Sequence, residues 1–213
     1  MAANVILVAN PKGGAGKSTL ATNLAGLLAM RGRQHGSLQV MLGDVDRQQS
    51  SRAWLACRPL TAAPILSWEW SPGNPAKPPR GTTHIVLDTP AGLHGDKLKE
   101  LLHQATNVLV PVQPSIFDIQ ATRSFLDSLA EKKAARGLSV ALVGMRVDAR
   151  TRAAEQLLRF VESTGLPLLG CLRSTQNYVQ LAAQGLTLFD LPPARVEKDL
   201  AQWAAIERWL FPF

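Results

Sequence analysis

Cysteine is scarce in this sequence, and its scarcity argues against two kinds of site. Cys57 and Cys171 are the only two among 213 residues, and neither belongs to a CxxC pair or a cysteine–histidine cluster. A disulfide framework or a structural zinc site depends on such groupings. The sequence therefore predicts two free thiols, which we expect to be buried in a reduced, cytosolic protein.

Long hydrophobic runs are also missing. The apolar start, VILVA at 5–9, is too short for the core of a signal peptide and leads directly into a glycine-rich stretch. No later stretch approaches the roughly 20 apolar residues that a membrane-spanning helix needs. The sequence thus predicts a soluble chain. Its 46% of hydrophobic residues can fill one core, so we expect residues 1–213 to form a single domain.

The charge balance is basic, with a formal net charge of +7. Residues 1–90 hold nine Lys or Arg against four Asp or Glu, whereas residues 91–213 hold fourteen against twelve. A positive field concentrates anions, so the balance indicates a nucleotide, a nucleic acid or an acidic lipid as partner. No single stretch concentrates the charge, and composition alone does not choose among these partners.

Short apolar runs alternate with segments of helical periodicity almost from end to end. Strict alternation favours right-handed crossovers between parallel strands, with helices on both faces of the sheet. The sequence therefore predicts a doubly wound α/β fold with a mostly parallel sheet. The predicted strands are 4–9, 38–44, 83–90, 107–113, 138–147 and 167–172, and the predicted helices are 18–30, 48–58, 95–105, 117–136, 152–163, 176–184 and 194–210.

A proline-rich segment, SWEWSPGNPAKPPRGT at 67–82, interrupts this alternation. Proline neither donates to a strand ladder nor continues a helix, so we expect an exposed loop here. Trp68 and Trp70 within it are either packing anchors or part of a surface that contacts a partner.

The stretch NPKGGAGKST at 10–19 follows the first predicted strand and begins a helix. Glycines at 13, 14 and 16 let the backbone approach a ligand closely, and the helix start directs N–H groups and positive charge at one point. Such a loop suits a polyphosphate. Lys17 would reach the β- and γ-phosphates, the Ser18 hydroxyl would ligate Mg²⁺, and Thr19 would contact the α-phosphate. A glycine turn without a ligand is the alternative.

Carboxylates follow two other predicted strands. Asp44 and Asp46 end the second strand, and Asp88 ends the third. In an open α/β sheet the carboxyl ends of the strands line the ligand crevice. A carboxylate at the position of Asp88 can hold Mg²⁺ through water. An Asp-x-Asp pair at a strand end is common, so Asp44 and Asp46 are informative only together with the glycine-rich loop.

The glycine-rich loop departs from the usual phosphate-binding pattern, because Pro11 stands where the first glycine is expected. The segment instead fits KGGxxK[ST] and resembles the deviant Walker A loop of the ParA/MinD ATPases, a resemblance that extends over essentially the whole chain. It implies ATP and Mg²⁺ as cofactors. In that family the early lysine crosses the interface of a nucleotide-sandwich dimer, which implies a catalytic role for Lys12; a solvated loop charge is the alternative. The resemblance assigns the nucleotide to Lys12, Gly13, Gly14, Ala15, Gly16, Lys17, Ser18 and Thr19.

The same resemblance implies roles for the acidic residues and for base recognition. Asp46 would position the attacking water, and Asp44 would lie in the outer shell of Mg²⁺. Arg47 stands where the family usually has proline. Met145 lies near the place of an adenine-reading asparagine, so the backbone around Pro192 is expected to contact the base instead.

The chain begins at its first predicted strand, so we expect no N-terminal helix-turn-helix and no sequence-specific DNA reading. Small ParA-like proteins bind DNA non-specifically as ATP-bound dimers, and a ParB-like or other adaptor protein stimulates their hydrolysis. The resemblance therefore implies a cytoplasmic, nucleoid-associated ATPase that distributes a plasmid, a chromosome region or a protein assembly. The candidate DNA contacts, each of which could instead be a solvated charge, are Arg150, Arg152, Arg173, Arg195 and Lys198.

Two alternatives stay open. A MinD-like ATPase would bind a membrane through its last helix, and the tail DLAQWAAIERWLFPF offers apolar side chains but only one arginine. We expect that helix to pack on the core instead. A metabolic or metal-cluster-assembly ATPase of the same superfamily would be expected to carry a CxxC pair, which is absent.

Overall fold

A seven-stranded parallel sheet forms the centre of the computed structural model, which describes residues 3–36, 38–70 and 77–211. The strand order is β3-β2-β4-β1-β5-β6-β7. The strands are β1 (Asn4–Val8), β2 (Val40–Asp44), β3 (Leu66–Trp68), β4 (His84–Asp88), β5 (Asn107–Val112), β6 (Ser139–Met145) and β7 (Leu168–Leu172). The helices are α1 (Lys17–His35), α2 (Ser50–Ala56), α3 (Gly95–Gln104), α4 (Ile116–Arg136), α5 (Arg152–Thr164), α6 (Gln176–Ala182), α7 (Pro193–Leu200) and α8 (Ala204–Leu210), with 3₁₀ turns at Leu188–Asp190 and Ala201–Trp203.

Helices cover both faces of the sheet, and the side chains of β1 alternate between the two cores. Leu7 packs into the core formed with α3, α4 and α5, whereas Ile6 and Val8 pack into the core formed with α1, α2 and α6 to α8. All three side chains are fully buried. A strand buried on both faces reads as a continuous apolar run, which is why β1 was recognisable in the sequence. The predicted doubly wound α/β fold is confirmed.

The strand register aligns the ends of three neighbouring strands. Val8 of β1 lies opposite Asp88 of β4, and Asp88 in turn lies opposite Asp44 of β2. Because all pairs are parallel, the loops that follow these strands leave the same edge of the sheet. The two carboxylates and the glycine-rich loop therefore meet without any further folding of the chain.

Helix α1 is longer than predicted. The basic turn and Gly32 were expected to end it after residue 30, but it continues to His35 and stops at Gly36, whose φ is 71°. Gly32 lies inside the helix because a Cβ there would come within 2.5 Å of the Leu38 carbonyl oxygen. This glycine serves close packing, and the next one provides the left-handed cap.

The prediction of an exposed loop over 67–82 is wrong at its start. Leu66–Trp68 form β3 against β2, and the side chains of Trp68 and Trp70 are buried. Gly43 on β2 makes room for the first ring, because a Cβ there would lie 3.1 Å from Trp68 Cε3. Both tryptophans are thus packing anchors. Residues 77–81 are exposed, and residues 71–76 lie outside the described residues.

The end of the chain packs on the core as expected, but through two helices instead of one. Trp203, Ile206 and Leu210 are buried, and Trp203 Nε1 donates to the Tyr178 hydroxyl at 3.0 Å. The expectation of buried cysteines is wrong for Cys57, which is exposed at the end of α2, while Cys171 is half-buried.

Helix α2 is anchored at its far end to the C-terminal part of the chain. The Arg58 guanidinium, just after the helix, donates to both oxygens of Asp190 at 2.9 and 2.7 Å, and the two side chains are only 5% and 4% exposed. Trp54 Nε1 donates to the Leu186 carbonyl at 3.4 Å. A buried two-pronged pair of this kind fixes geometry, because neither charge can be left alone without a large penalty.

Replacement of Arg58 by Met should therefore destabilise the protein by about 3–5 kcal/mol, since it leaves the Asp190 carboxylate buried without its partner. Urea unfolding followed by circular dichroism measures the loss. Arg150→Met removes an exposed pair with Asp148 and serves as the control, for which no measurable change is expected. Equal effects of the two substitutions would contradict the assignment.

Candidate nucleotide-binding site

The loop between β1 and α1 has the conformation that phosphate binding requires. Gly14 and Gly16 have φ angles of 76° and 94°, and Gly16 is the cap at which α1 begins. No heavy atom lies within 4 Å of the place where a Gly14 Cβ would stand. The open loop and the N-terminus of a 19-residue helix together form a site suited to an anion.

A buried asparagine supports this loop from below. Asn10 Oδ1 accepts the Lys12 backbone N–H at 2.8 Å. Its Nδ2 donates to the Pro111 carbonyl at 2.7 Å and to Thr122 Oγ1 at 2.9 Å, tying the loop to β5 and α4. Sequence reasoning missed Asn10, because its partners are more than 100 residues away along the chain.

Lys17 closes the loop in the absence of a ligand. Its Nζ donates to the Lys12 carbonyl at 2.9 Å. Burial lowers the pKa of the Lys17 ammonium, and the nearby carboxylates of Asp88 and Asp46 oppose that shift. The ammonium thus lies between the loop and the two acids, where it can exchange its carbonyl partner for a phosphate oxygen.

Asp88 is the most strongly perturbed carboxyl group of the site. It is 1% exposed, and burial raises its pKa to about 6, while the hydroxyls of Ser18 and Ser51 act in the opposite direction. Ser51 Oγ donates to Oδ2 at 2.6 Å. Oδ1 is buried without a hydrogen-bond partner that meets the geometric criteria among the described residues, although Ser18 is near enough to affect the pKa. A buried unpaired carboxylate oxygen is costly and calls for a ligand.

This arrangement fits a hydrated Mg²⁺ ion. The Ser18 hydroxyl and the free oxygen of Asp88 are hard oxygen donors of the kind that Mg²⁺ takes, and a Mg²⁺ site keeps several waters beside substrate phosphates. In the described ranges 3–36, 38–70 and 77–211, no three His, Cys, Asp or Glu side chains form a metal-binding group. The site therefore suits a metal that arrives with the nucleotide more than one held by protein ligands alone.

The two acids that follow β2 have different surroundings. Asp44 accepts the backbone N–H groups of Ser51 at 2.8 Å and Arg52 at 3.1 Å through Oδ2, and that of Asp46 at 3.0 Å through Oδ1. Asp44 thus caps the start of α2, a supporting place that the expected outer-shell role did not anticipate. Asp46 is half-buried and close enough to Lys17 to raise the pKa of its ammonium.

A cavity of about 460 Å³ opens beside the loop. Met145 forms part of its wall and packs against Gly16, with Cε 2.8 Å from the place of a Gly16 Cβ. Arg146 has a φ of 55°, a left-handed conformation that is rare for a side chain of this size. Its position beside the loop favours the cavity as the place for the base. The other lining residues are Thr19, Leu172, Arg173, Ser174, Thr175, Gln176, Tyr178, Val179 and Ala182.

Pro192 does not lie at this cavity, and the prediction that its backbone contacts the base is corrected. Its neighbours Leu191 and Pro193 line a different cavity with Leu27 and Met30 of α1. Those positions lie about 15–20 Å further along the helix axis than Lys17, at a rise of about 1.5 Å per residue.

Residues 6–188 match the CobQ/CobB/MinD/ParA nucleotide binding domain, which covers most of the chain, including the loop and the three acids. The chain belongs to this family of P-loop ATPases. The resemblance inferred from KGGxxK[ST] is therefore confirmed, and the site described above is the family's nucleotide site.

Curated relatives of this ATPase include two proteins for the maintenance of carboxysome distribution. Protein A of Halothiobacillus neapolitanus is 28% identical over 193 residues, covering 87% of each chain. Protein A of Gloeobacter kilaueensis is 29% identical, covering 86% of this chain and 83% of the relative. The chromosome-partitioning ATPase Soj of Thermus thermophilus is 29% identical over 71% of this chain and 73% of its own length.

Solved structures share the fold of this ATPase at low identity. The Aquifex aeolicus MinC:MinD cell division complex gives a TM-score of 0.73 at 17% identity, covering 99% of this chain and 96% of the other. A Borrelia burgdorferi plasmid partition protein bound to AMPPNP gives 0.70 at 17%, covering 97% and 99%. The ATP complex of a Cyanothece carboxysome-distribution protein gives 0.70 at 16%, covering 96% of each chain.

The basic residues singled out as DNA contacts lie in three places. Arg150 and Arg152 are exposed around the start of α5, although Arg150 pairs with Asp148 at 2.8 Å. Arg173 is bound to buried Asp199 at 2.5 Å and lines the cavity beside the loop. Its guanidinium is engaged within the chain, which makes it a weaker candidate. Arg195 and Lys198 are exposed on α7.

The raised pKa of Asp88 predicts a specific pH dependence of stability. A carboxyl whose pKa is about 6 in the folded state and 3.8 when unfolded costs about 3 kcal/mol above pH 6, and the cost disappears as the pH falls towards 4. In EDTA and without nucleotide, Asp88→Asn should therefore be more stable than the wild type at pH 8 by up to about this amount. Urea unfolding between pH 4 and 8 measures the difference; a gap independent of pH would contradict the assignment.

Proposed function

We propose that this protein is a ParA-like positioning ATPase. ATP binding forms a nucleotide-sandwich homodimer that binds DNA non-specifically, and an adaptor protein stimulates hydrolysis and releases the dimer. Repetition of this cycle on the nucleoid, in the cytoplasm, distributes a cargo such as a plasmid, a chromosome region or a carboxysome-like protein assembly. The relatives named for carboxysome distribution and chromosome partitioning support this choice within the family.

The observation that carries the proposal is the way Lys12 is held. Its N–H is bound by Asn10 and its carbonyl by Lys17, so the backbone is fixed on both sides. Its ammonium group has no hydrogen-bond or ion-pair partner in the part of the chain that the structure describes. A cation fixed at its base and free at its tip, beside a phosphate site, is suited to neutralise charge on the nucleotide of a second subunit, as an arginine finger does.

The remaining residues of the site divide the chemistry of hydrolysis. Lys17 and the loop N–H groups hold the phosphates, while Ser18 and, through water, Asp88 hold Mg²⁺. The bound metal would neutralise the β- and γ-phosphate oxygens. Asp46, half-buried at the end of β2 and exposed to the same space as Lys17, would orient the attacking water. Asp44 acts through the start of α2.

Helix α7 is the surface that best fits DNA among the candidates. Arg195 and Lys198 are three residues apart, so they project from neighbouring positions of the helix surface, and neither has an ion-pair partner within residues 3–36, 38–70 and 77–211. Two subunits double these contacts, which lets a modest charge per chain give useful affinity. Arg150 and Arg152 at the start of α5 are secondary candidates.

Membrane association through the last helix is the weaker alternative. Trp203, Ile206 and Leu210, which would have to enter the bilayer, are buried against the sheet. Phe213 lies outside the described residues. Within those residues, no helix combines the length and hydrophobicity needed to cross a membrane.

Lys12→Ala should abolish ATP-dependent dimerisation and leave the fold intact, because the exposed ammonium is removed while the backbone bonds remain. Light scattering in the presence of AMPPNP and Mg²⁺ measures the dimer. Lys99→Ala, which removes an exposed lysine paired only with Asp96, is the matched control and should dimerise normally. A normal dimer in Lys12→Ala would exclude a role across the interface.

DNA binding should depend steeply on salt and on α7. The logarithm of the affinity is expected to fall linearly with the logarithm of the salt concentration, and Arg195→Ala or Lys198→Ala should each reduce that slope by about one unit per subunit. Fluorescence anisotropy with an unrelated duplex between 50 and 200 mM salt measures the slopes. Lys99→Ala, on the other face of the sheet, should keep the wild-type slope. A salt-independent affinity would rule out phosphate contacts.

A further inference from the structure

Ser51 has no place in the motifs of the nucleotide site, yet it is bonded to the centre of that site. It is fully buried near the start of α2, and its hydroxyl donates to Asp88 Oδ2 at 2.6 Å. This bond occupies one carboxylate oxygen and leaves Oδ1 as the buried, unpaired one. The hydroxyl thus decides which oxygen of Asp88 remains available.

The backbone of Ser51 is held as firmly as its side chain. Its N–H donates to Asp44 Oδ2 at 2.8 Å, and that of Arg52 donates to the same oxygen at 3.1 Å. Asp44 and Asp88 lie opposite each other on β2 and β4. One residue of α2 therefore bonds to both acids at the end of the sheet, through its main chain to one and through its side chain to the other.

We propose that Ser51 is a positioning residue for the metal-dependent step. By holding Oδ2, it fixes the Asp88 carboxylate in the orientation that presents Oδ1 to the waters of Mg²⁺ beside Ser18. Asp44 contributes by fixing the backbone of Ser51. The inference rests on the proposed function, because it presupposes that Asp88 and Ser18 hold Mg²⁺ with a nucleotide. Hydrogen-bond partners of this kind commonly change metal affinity 10–100-fold when they are removed.

A purely structural role would have a different signature. If Ser51 only satisfied a buried carboxylate, its removal would lower the stability of the protein in all states alike. If it positions Asp88 for the metal, its removal weakens the response to Mg²⁺ specifically. Nucleotide binding without Mg²⁺, which depends on the loop and Lys17, is then unchanged.

The test compares Ser51→Ala with the wild type. The Mg²⁺ concentration for half-maximal ATP hydrolysis should rise about tenfold or more, while the affinity for AMPPNP measured in EDTA stays within about twofold. As a readout independent of turnover, the melting temperature of the AMPPNP-bound protein is followed during Mg²⁺ titration. The added stabilisation by Mg²⁺ should appear only at correspondingly higher concentrations in the variant.

Two further variants complete the design. Ser50→Ala removes an exposed hydroxyl from the preceding residue, which has no hydrogen bond in the described part of the chain, and should behave as the wild type. Ser51→Thr keeps the hydroxyl and should retain the wild-type response to Mg²⁺. If Ser51→Ala does not fold, Ser51→Cys, of similar size but with a weak donor, takes its place.

The outcomes separate this inference from the proposed function. A wild-type response to Mg²⁺ in the folded Ala or Cys variant overturns the role of Ser51 and leaves the ATPase proposal intact. Loss of AMPPNP affinity in EDTA by the same factor also overturns it, since the effect would not be specific to the metal. A wild-type protein that binds AMPPNP without any effect of Mg²⁺ overturns both proposals together.

Discussion

The parallel register of β1, β4 and β2 is the constraint on which the site depends. Because Val8, Asp88 and Asp44 are neighbours across three strands, the loop and both carboxylates share one edge of the sheet. Side chains on adjacent parallel strands keep a spacing set by backbone hydrogen bonds. A shift of one residue in any of these pairs would turn the carboxylates to the other face, so the chemistry is fixed by the same bonds that build the core.

Around that edge, charges are placed to be completed by a ligand. Lys17 is partly desolvated and bonded only to a carbonyl, Asp88 has an unpaired oxygen, and Lys12 projects without a partner in the described residues. Each group bears a cost in the free protein that a magnesium–nucleotide complex, and for Lys12 a second subunit, would relieve. Such incomplete satisfaction is typical of functional sites and distinguishes this edge from the well-paired network at Arg58 and Asp190.

Much of this fold and part of the site could be predicted because they are written in local patterns. Buried strands are continuous apolar runs, and the loop residues follow one another between β1 and α1. Asn10 and Ser51 escaped prediction because their bonds join residues 112 and 37 positions apart. Strand β3 escaped because the room for Trp68 is created by Gly43 on another strand. Pro192 was misplaced because a family resemblance transfers positions along the chain and not contacts in space.

The two ends of α2 are held in unlike ways. Its beginning is bonded to acids whose surroundings change when phosphate and metal arrive, whereas its far end is secured by Arg58 and Trp54 to the segment that precedes α7. A seven-residue helix is a rigid rod of about 10 Å. Any displacement at its beginning therefore becomes a rotation about the secured end, and the segment leading to α7 is the first part of the protein to feel the torque.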